Sequence, residues 1–278
     1  MLRSIPLFAA KAWHMGPEWW SLIPLAPFHP FVTRWPRKIP VPFGPFRFRL
    51  GTTDLVAMVT LLADMDEALM RAVLQRVDAV IDAGANVAAF AVILRAWSPR
   101  DGKKREWIAV ELCSDNAEVC RSQPLLPAMT VINKALGAAP GVMRWTRGIN
   151  EATAQVEGAD EVGFLAREFD HQAVMEETEV VTLAGLTAKK AFLKLDIEGA
   201  EYAVLEAGVP DNIEYMLAEF HVFRRSNPPA PSTLVPVGHW YLLSRDILGG
   251  ETWFWMRRDD EEIRRLVPVF QASSQRSH

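Results

Sequence analysis

Carboxylates stand at the ends of several short aliphatic runs in this chain, and they define the first chemistry to consider. The run Ala79-Val80-Ile81 ends at Asp82 and passes directly into Ala83-Gly84-Ala85-Asn86 ahead of a helical stretch. Small residues at such a turn let the backbone approach a ligand closely, and a helix N-terminus faces whatever is bound. A pyrophosphate site would show G-x-G-x-x-G, a pattern broken here by Ala85 and Ala88. An acid immediately before the turn would repel pyrophosphate and suits a ligand with an ammonium group and no phosphate. S-adenosylmethionine is such a ligand.

A second acid, Glu111, ends the run Trp107-Ile108-Ala109-Val110. At the neighbouring strand end it would hold a ribose diol through paired hydrogen bonds. A third run ends at Ile132, and Asn133, Lys134 and Ala135 follow, polar and small enough to border an adenine ring. The expected donor-binding set is therefore Asp82, Gly84, Ala85, Asn86, Glu111, Leu112, Asn133, Lys134 and Ala135.

The densest polar cluster is Phe192-Leu193-Lys194-Leu195-Asp196-Ile197-Glu198-Gly199-Ala200-Glu201. Period-two alternation puts Lys194 and Asp196 on one face of a strand and Leu193 and Leu195 on the other. A carboxylate ending a buried apolar strand needs a partner, which marks Asp196. Glu198 and Glu201 also read as simple helix-start acids that complement a dipole. The helix after them is expected to bury Ala200, Ala203, Val204 and Ala207 and to stop at Gly208. Glu219 and His221 share parity at the end of the next strand, and imidazole suits proton removal near neutral pH. Asp196, His221 and Lys194 are the expected catalytic groups, with Glu198 and Glu219 on the substrate side. Asp196, Glu198 and Glu219 would alternatively hold a divalent ion such as magnesium, while no Cys/His spacing suggests zinc.

The elements that must position these residues alternate short apolar runs with helical stretches, the pattern of a doubly wound, mainly parallel sheet. Strands are expected at 79–82, 107–111, 130–133, 191–196 and 215–221, with a helix at 87–97. Strands at 240–244 and 252–257 flank a Gly-Gly turn and read as an antiparallel hairpin. Ahead of them, 54–75 is apolar at helical spacing, with Thr53 or Asp54 as the N-cap, and reads as one or two cap helices. The expected organisation is an N-terminal arm (1–50), cap helices (51–76) and a catalytic domain (77–278), with a polar insertion at 147–177 on the substrate side.

With 278 residues, half of them hydrophobic, the chain can bury a full core. A formal net charge of -4 offers no general attraction to nucleic acid. Cys113 and Cys120, on what reads as a surface helix, are expected to be inert thiols in a reducing compartment. No run reaches the roughly 18 apolar residues of a spanning helix, so a cytoplasmic protein is expected. The arm mixes Trp19, Trp20 and Trp35 with many prolines around Arg34, Arg37 and Lys38. It is expected to pack on the catalytic domain or on a second subunit in a homo-oligomer, with peripheral membrane contact as the alternative.

Taken together, residues 80–86, Glu111, 133–137, the 193–201 block and Glu219-Phe220-His221 resemble the FkbM-type methyltransferases. Gly51-Thr52-Thr53-Asp54 is similar to that family's G-T-S-D segment, so the resemblance spans about residues 50–221. It implies a seven-stranded Rossmann-like sheet, S-adenosylmethionine as donor, and O-methylation of a hydroxyl on a sugar, glycolipid or secondary metabolite. By position it implies donor contacts from Asp82, Gly84, Asn86 and Glu111, and an acceptor surrounded by Lys194, Asp196, Glu198 and His221. The chain departs from the family at Ala88, where Gly is common, and at Leu112, where Pro is common. Two rival classes are a non-catalytic donor-binding protein acting through its aromatic arm and a nicotinamide-dependent oxidoreductase.

Overall fold

The computed structural model describes residues 36–41, 44–49, 52, 54–147, 155–156, 174–221, 229–245 and 250–268. Most of the tryptophan-rich arm, Gly51, Thr53, the centre of the 147–177 insertion and the turn at 246–249 lie outside the described residues. The described chain opens with a hairpin, β1 (Pro36–Val41) and β2 (Gly44–Arg49), and two helices, α1 (Asp54–Asp64) and α2 (Glu67–Arg76). There follow β3 (Ala79–Ala83), α3 (Ala89–Trp97), β4 (Glu106–Val110), α4 (Ser114–Arg121) and β5 (Thr130–Ile132). Four strands come next, β6 (Ala135–Leu136), β7 (Gly141–Arg147), β8 (Gln155–Val156) and β9 (Val174–Val181). The remainder is β10 (Ala191–Leu195), α5 (Glu201–Glu206), β11 (Ile213–Phe220), α6 (Pro231–Leu234), β12 (His239–Arg245), β13 (Glu251–Met256) and α7 (Glu261–Leu266).

Seven strands form one sheet in the order β12-β13-β11-β10-β3-β4-β5. Neighbours from β11 to β5 run parallel, and β13 is antiparallel to both β11 and β12. This agrees with a mainly parallel sheet closed by an antiparallel hairpin and is consistent with a Rossmann-like methyltransferase fold. The strands read as continuous apolar runs because both faces are covered. Val80, Phe192 and Trp107 pack with Phe90, Leu94 and Met70 on one face. Ile81, Ile108 and Leu193 pack with Tyr202, Leu205 and Trp255 on the other. Each fully buried large side chain of this kind stabilises the fold by about 1.5–3 kcal/mol.

Several local expectations are corrected. Residues 135–181 contribute a second, four-stranded sheet, β6-β9-β7-β8, where sequence pattern suggested a polar insertion from 147 onward. α3 starts at Ala89 because Val87 and Ala88 belong to the preceding turn, Ala88 at φ 59°. α5 buries Tyr202, Val204 and Leu205 and leaves Ala203 and Ala207 exposed; large apolar side chains claim the covered face before alanines do. Asp54 is the first residue of α1, not its cap, and its carboxylate is taken by Arg49. Asp66 caps α2 by accepting from the Leu69 amide at 2.8 Å. Cys113 and Cys120 are both buried, not on a surface. The end of the arm packs on the domain: Phe46 and Phe48 enter the main core beside Met58. Among the described residues no helix is long and apolar enough to cross a membrane.

Candidate active site

The carboxyl ends of β3, β4 and β10 open into a cleft of about 330 Å³, bordered on one side by Ala57, Thr60 and Leu61 of α1. Its floor is the turn after β3. Gly84 and Asn86 there have left-handed backbone, at φ 70° and 51°. Gly84 is required: a Cβ would lie 1.6 Å from the Asp196 carbonyl oxygen, so the turn touches the end of β10. Backbone bonds from Gly84 and Ala85 to the Val110 oxygen, at 3.0 and 3.2 Å, press the same turn against β4. Cys120 supports it from below, its thiol donating to the Asn86 oxygen at 3.1 Å.

Glu111 faces the cleft with its carboxylate pinned at several points. It accepts from the Asn86 amide at 2.7 Å, the Cys113 amide at 2.8 Å and the Asn116 side chain at 3.4 Å. Burial pushes its pKa up to about 7, against the pull of those donors. The Asn86 Oδ1 is buried without a hydrogen-bond partner among the described residues, as is Asp82 Oδ1. A buried acceptor left this way is costly unless a ligand satisfies it.

The donor set expected from sequence divides in two. Gly84, Ala85, Asn86, Glu111, Leu112, Lys134 and Ala135 line the cleft. Asp82 and Asn133 do not line it. Asp82 is fully buried behind the turn, where it accepts from the Ala91 amide at 3.2 Å and faces Lys194; burial raises its pKa to about 6. Asn133 braces the loop after β4, donating to the Glu111 and Leu112 carbonyls at 2.8 and 2.9 Å. Lys134 reaches the cleft wall while paired with Glu179.

At the opposite end the parallel register delivers the second group of residues. Lys194 is paired with Asp82 across β10 and β3, and Leu195 with Ala218 across β10 and β11, so Asp196, just past β10, and Glu219, near the end of β11, come side by side. Lys194 Nζ is buried between Gly84 O at 2.7 Å, Asp196 Oδ2 at 2.9 Å and Asp82 Oδ1 at 3.8 Å. Burial opposes its charge, but the two aspartates outweigh it and hold the ammonium ionised. Lys194 therefore ties the turn after β3 to the end of β10 and is too well held to exchange a proton with a bound molecule. The same ion pair overcomes burial at Asp196 and lowers its pKa.

His221 Nδ1 lies 3.0 Å from Glu201 Oε1, and its Nε2 is 3.5 Å from Glu198, 3.8 Å from Asp196 and 3.9 Å from Glu219. Burial disfavours imidazolium, yet the Glu201 bond and the charges of Glu198, Glu201 and Asp196 raise the His221 pKa to about 10. These charges favour the imidazolium form of His221, which donates a proton where the sequence suggested an acceptor. Glu201, read from sequence as a helix-start acid, is fully buried and also accepts from the Ile197 and Gly199 amides, at 3.0 and 3.1 Å. This closes the turn that carries Glu198, at φ 55°, into the cleft. Its only sequence signal is its place in the 193–201 block. Of the expected metal set, Asp196 and Glu198 converge with His221 instead of Glu219, their ligand atoms all within 4.8 Å of one another.

No curated protein matches the chain. The methyltransferase FkbM domain matches residues 82–233, from the acid at the end of β3 to α6, and so takes in every cleft-lining residue except the three of α1. That is more than half of the sequence, and the chain belongs to the FkbM methyltransferase family.

Proposed function

We propose that this protein transfers a methyl group from S-adenosylmethionine to a hydroxyl of a sugar, glycolipid or secondary metabolite. The observation that carries the reading is one cleft with two chemically distinct ends: the Gly84–Asn86 turn with the pinned Glu111 at one, and Asp196, Glu198 and Glu219, backed by His221, at the other. The donor end suits a cationic ligand with a ribose. Glu111 would hold the ribose hydroxyls, Asn86 the polar end, and Leu112, Ala135 and Leu136 would flank the adenine. When bound, the donor supplies an electrophilic methyl on a sulfonium, which needs no further activation.

The chain's own residues orient the acceptor and take its proton. Asp196, its Oδ2 fixed by Lys194, has Oδ1 turned toward the cluster and can hold a hydroxyl in place. Asp196 is the carboxylate that Lys194 keeps ionised at neutral pH, whereas burial raises the Glu198 pKa to about 8, so Glu198 takes the proton only where it has first been ionised. His221 stays charged and disperses the negative charge of the surrounding carboxylates. Positioning accounts for most of the acceleration, as a near-attack geometry removes an entropic cost.

The test uses Asp196→Asn and Glu198→Gln with metabolite and glycan extracts as the acceptor pool. Both variants should keep donor affinity by calorimetry within about threefold and lose methyl transfer by about 100-fold or more, the usual share of general base catalysis. Undiminished transfer in both would remove the assignment of these carboxylates.

A further inference from the structure

Strand β2 and the start of α1 lie before the segment matched to the family, yet a continuous line of buried polar contacts joins them to the cleft. Arg49 donates from Nε to Asp54 Oδ2 at 3.0 Å and from Nη2 to Asp54 Oδ1 at 2.9 Å, a two-point pairing. The same Nη2 donates to Asn116 Oδ1 at 2.6 Å. That bond fixes which end of the amide is oxygen, so Asn116 Nδ2 is the end turned to Glu111 Oε1, at 3.4 Å. Arg49, Asp54, Asn116 and Glu111 are each at most 6 % exposed, where water cannot substitute for a lost partner. We propose that Arg49, acting through Asn116, positions the Glu111 carboxylate for the ribose of the methyl donor, which makes the β2 segment a working part of the donor site.

Asp54 cancels the guanidinium charge, so what passes along the line is orientation. Two vicinal hydroxyls can be held together by one carboxylate only if its plane is fixed, and side chains achieve that when their neighbours lock them. A second bridge carries the same strand to the same turn. Gln123 accepts from the Arg47 amide at 3.0 Å and donates to both the Arg47 and Val87 carbonyls at 2.8 Å. Val87 follows Asn86, so β2 holds the donor turn and its ribose ligand from one side. The role gives function to the 51–54 segment singled out by sequence, since Asp54 is what holds Arg49 in place.

The proposal rests on Glu111 as the ribose ligand, and its experiment separates the two ideas. Binding of S-adenosylhomocysteine and of its 2′,3′-dideoxy analogue is measured by calorimetry on the full chain. The variants are Asn116→Asp, which keeps a partner for Arg49 but withdraws the donor from Glu111, and the double change Arg49→Met with Asp54→Leu, which strands no buried charge. Wild type should prefer the diol-bearing ligand by about tenfold or more, the worth of one or two charge-assisted hydrogen bonds. Both variants should lose most of that preference while binding the dideoxy analogue within about threefold of wild type. A preference unchanged in folded variants, or equal weakening of both ligands, would overturn the positioning role. Wild type with no preference would overturn the ribose assignment and the proposal with it.

Discussion

At the scale of single residues, charge decides what His221 can do. Four carboxylates surround one imidazole, and the one that makes a hydrogen bond, Glu201, is the one with no exposure to water. Replacing Glu201 by Gln removes a charged acceptor from two backbone amides and the ring. The expected loss is about 2–3 kcal/mol of stability, together with a fall of the His221 pKa toward its ordinary range, checked by denaturant melts and by NMR titration of the ring. A His221 that titrates near its ordinary value in the wild type would contradict this account. The sequence made the cluster legible, because strand parity brings Lys194, Asp196, Glu219 and His221 to one edge. It could not rank their roles. Parity says which face a side chain takes, whereas protonation depends on how many charges converge in three dimensions. The buried role of Glu201, read as a helix-start acid, and Asn116 altogether were missed for a related reason: a buried acid at a helix start and an Asn within a helix look, in sequence, like their many solvated counterparts.

Among the elements, the turn between β3 and α3 carries the most stringent demand. Gly84 combines positive φ with no room for a Cβ against the Asp196 carbonyl. Gly84→Ala should therefore abolish donor binding and lower stability by several kcal/mol, on the order of the cost of backbone strain plus overpacking, as read by calorimetry and thermal melts. Retained donor affinity in a stable Gly84→Ala protein would show that the turn and β10 do not depend on each other. Ala88 pays a smaller form of the same cost, holding left-handed backbone with a Cβ in place, and the fold retains it at full burial. The strands of the large sheet were legible to within a residue or two because doubly covered strands are continuous apolar runs. The small sheet was not: β9 reads Val-Met-Glu-Glu-Thr-Glu-Val-Val, whose charges mask a strand that is covered on one face only. Helix α5 misled in the opposite way, its alanines mimicking a buried stripe that Tyr202 and Leu205 occupy.

For the whole molecule, the buried ionisable groups of the cleft link stability to pH. Burial raises Asp82 to about 6 and Glu111 to about 7, and the carboxylate cluster raises His221 to about 10. Each folded-state value lies above its ordinary value, so the folded protein binds more protons than the unfolded chain between the two. The stability these groups contribute is full at low pH and is lost as pH rises, through about 4 to 7 for the acids and about 6.5 to 10 for the imidazole. Ligand-free protein should accordingly melt at a higher temperature near about pH 5.5 than near about pH 8.5, and S-adenosylmethionine should stabilise it more at the higher pH, where Glu111 is ionised. A ligand-free melting temperature that climbs over this range would contradict the burial of these acids. The central claim is methyl transfer from a donor held in this cleft to a hydroxyl. Its most direct measurement is incubation of the purified chain with trideuteromethyl-labelled S-adenosylmethionine and metabolite and glycan extracts, followed by mass spectrometry. The account predicts a trideuteromethyl ether in a hydroxyl-bearing product, formed by wild type and absent with Gly84→Ala; donor binding without any labelled product, or label found on nitrogen or carbon, would contradict it.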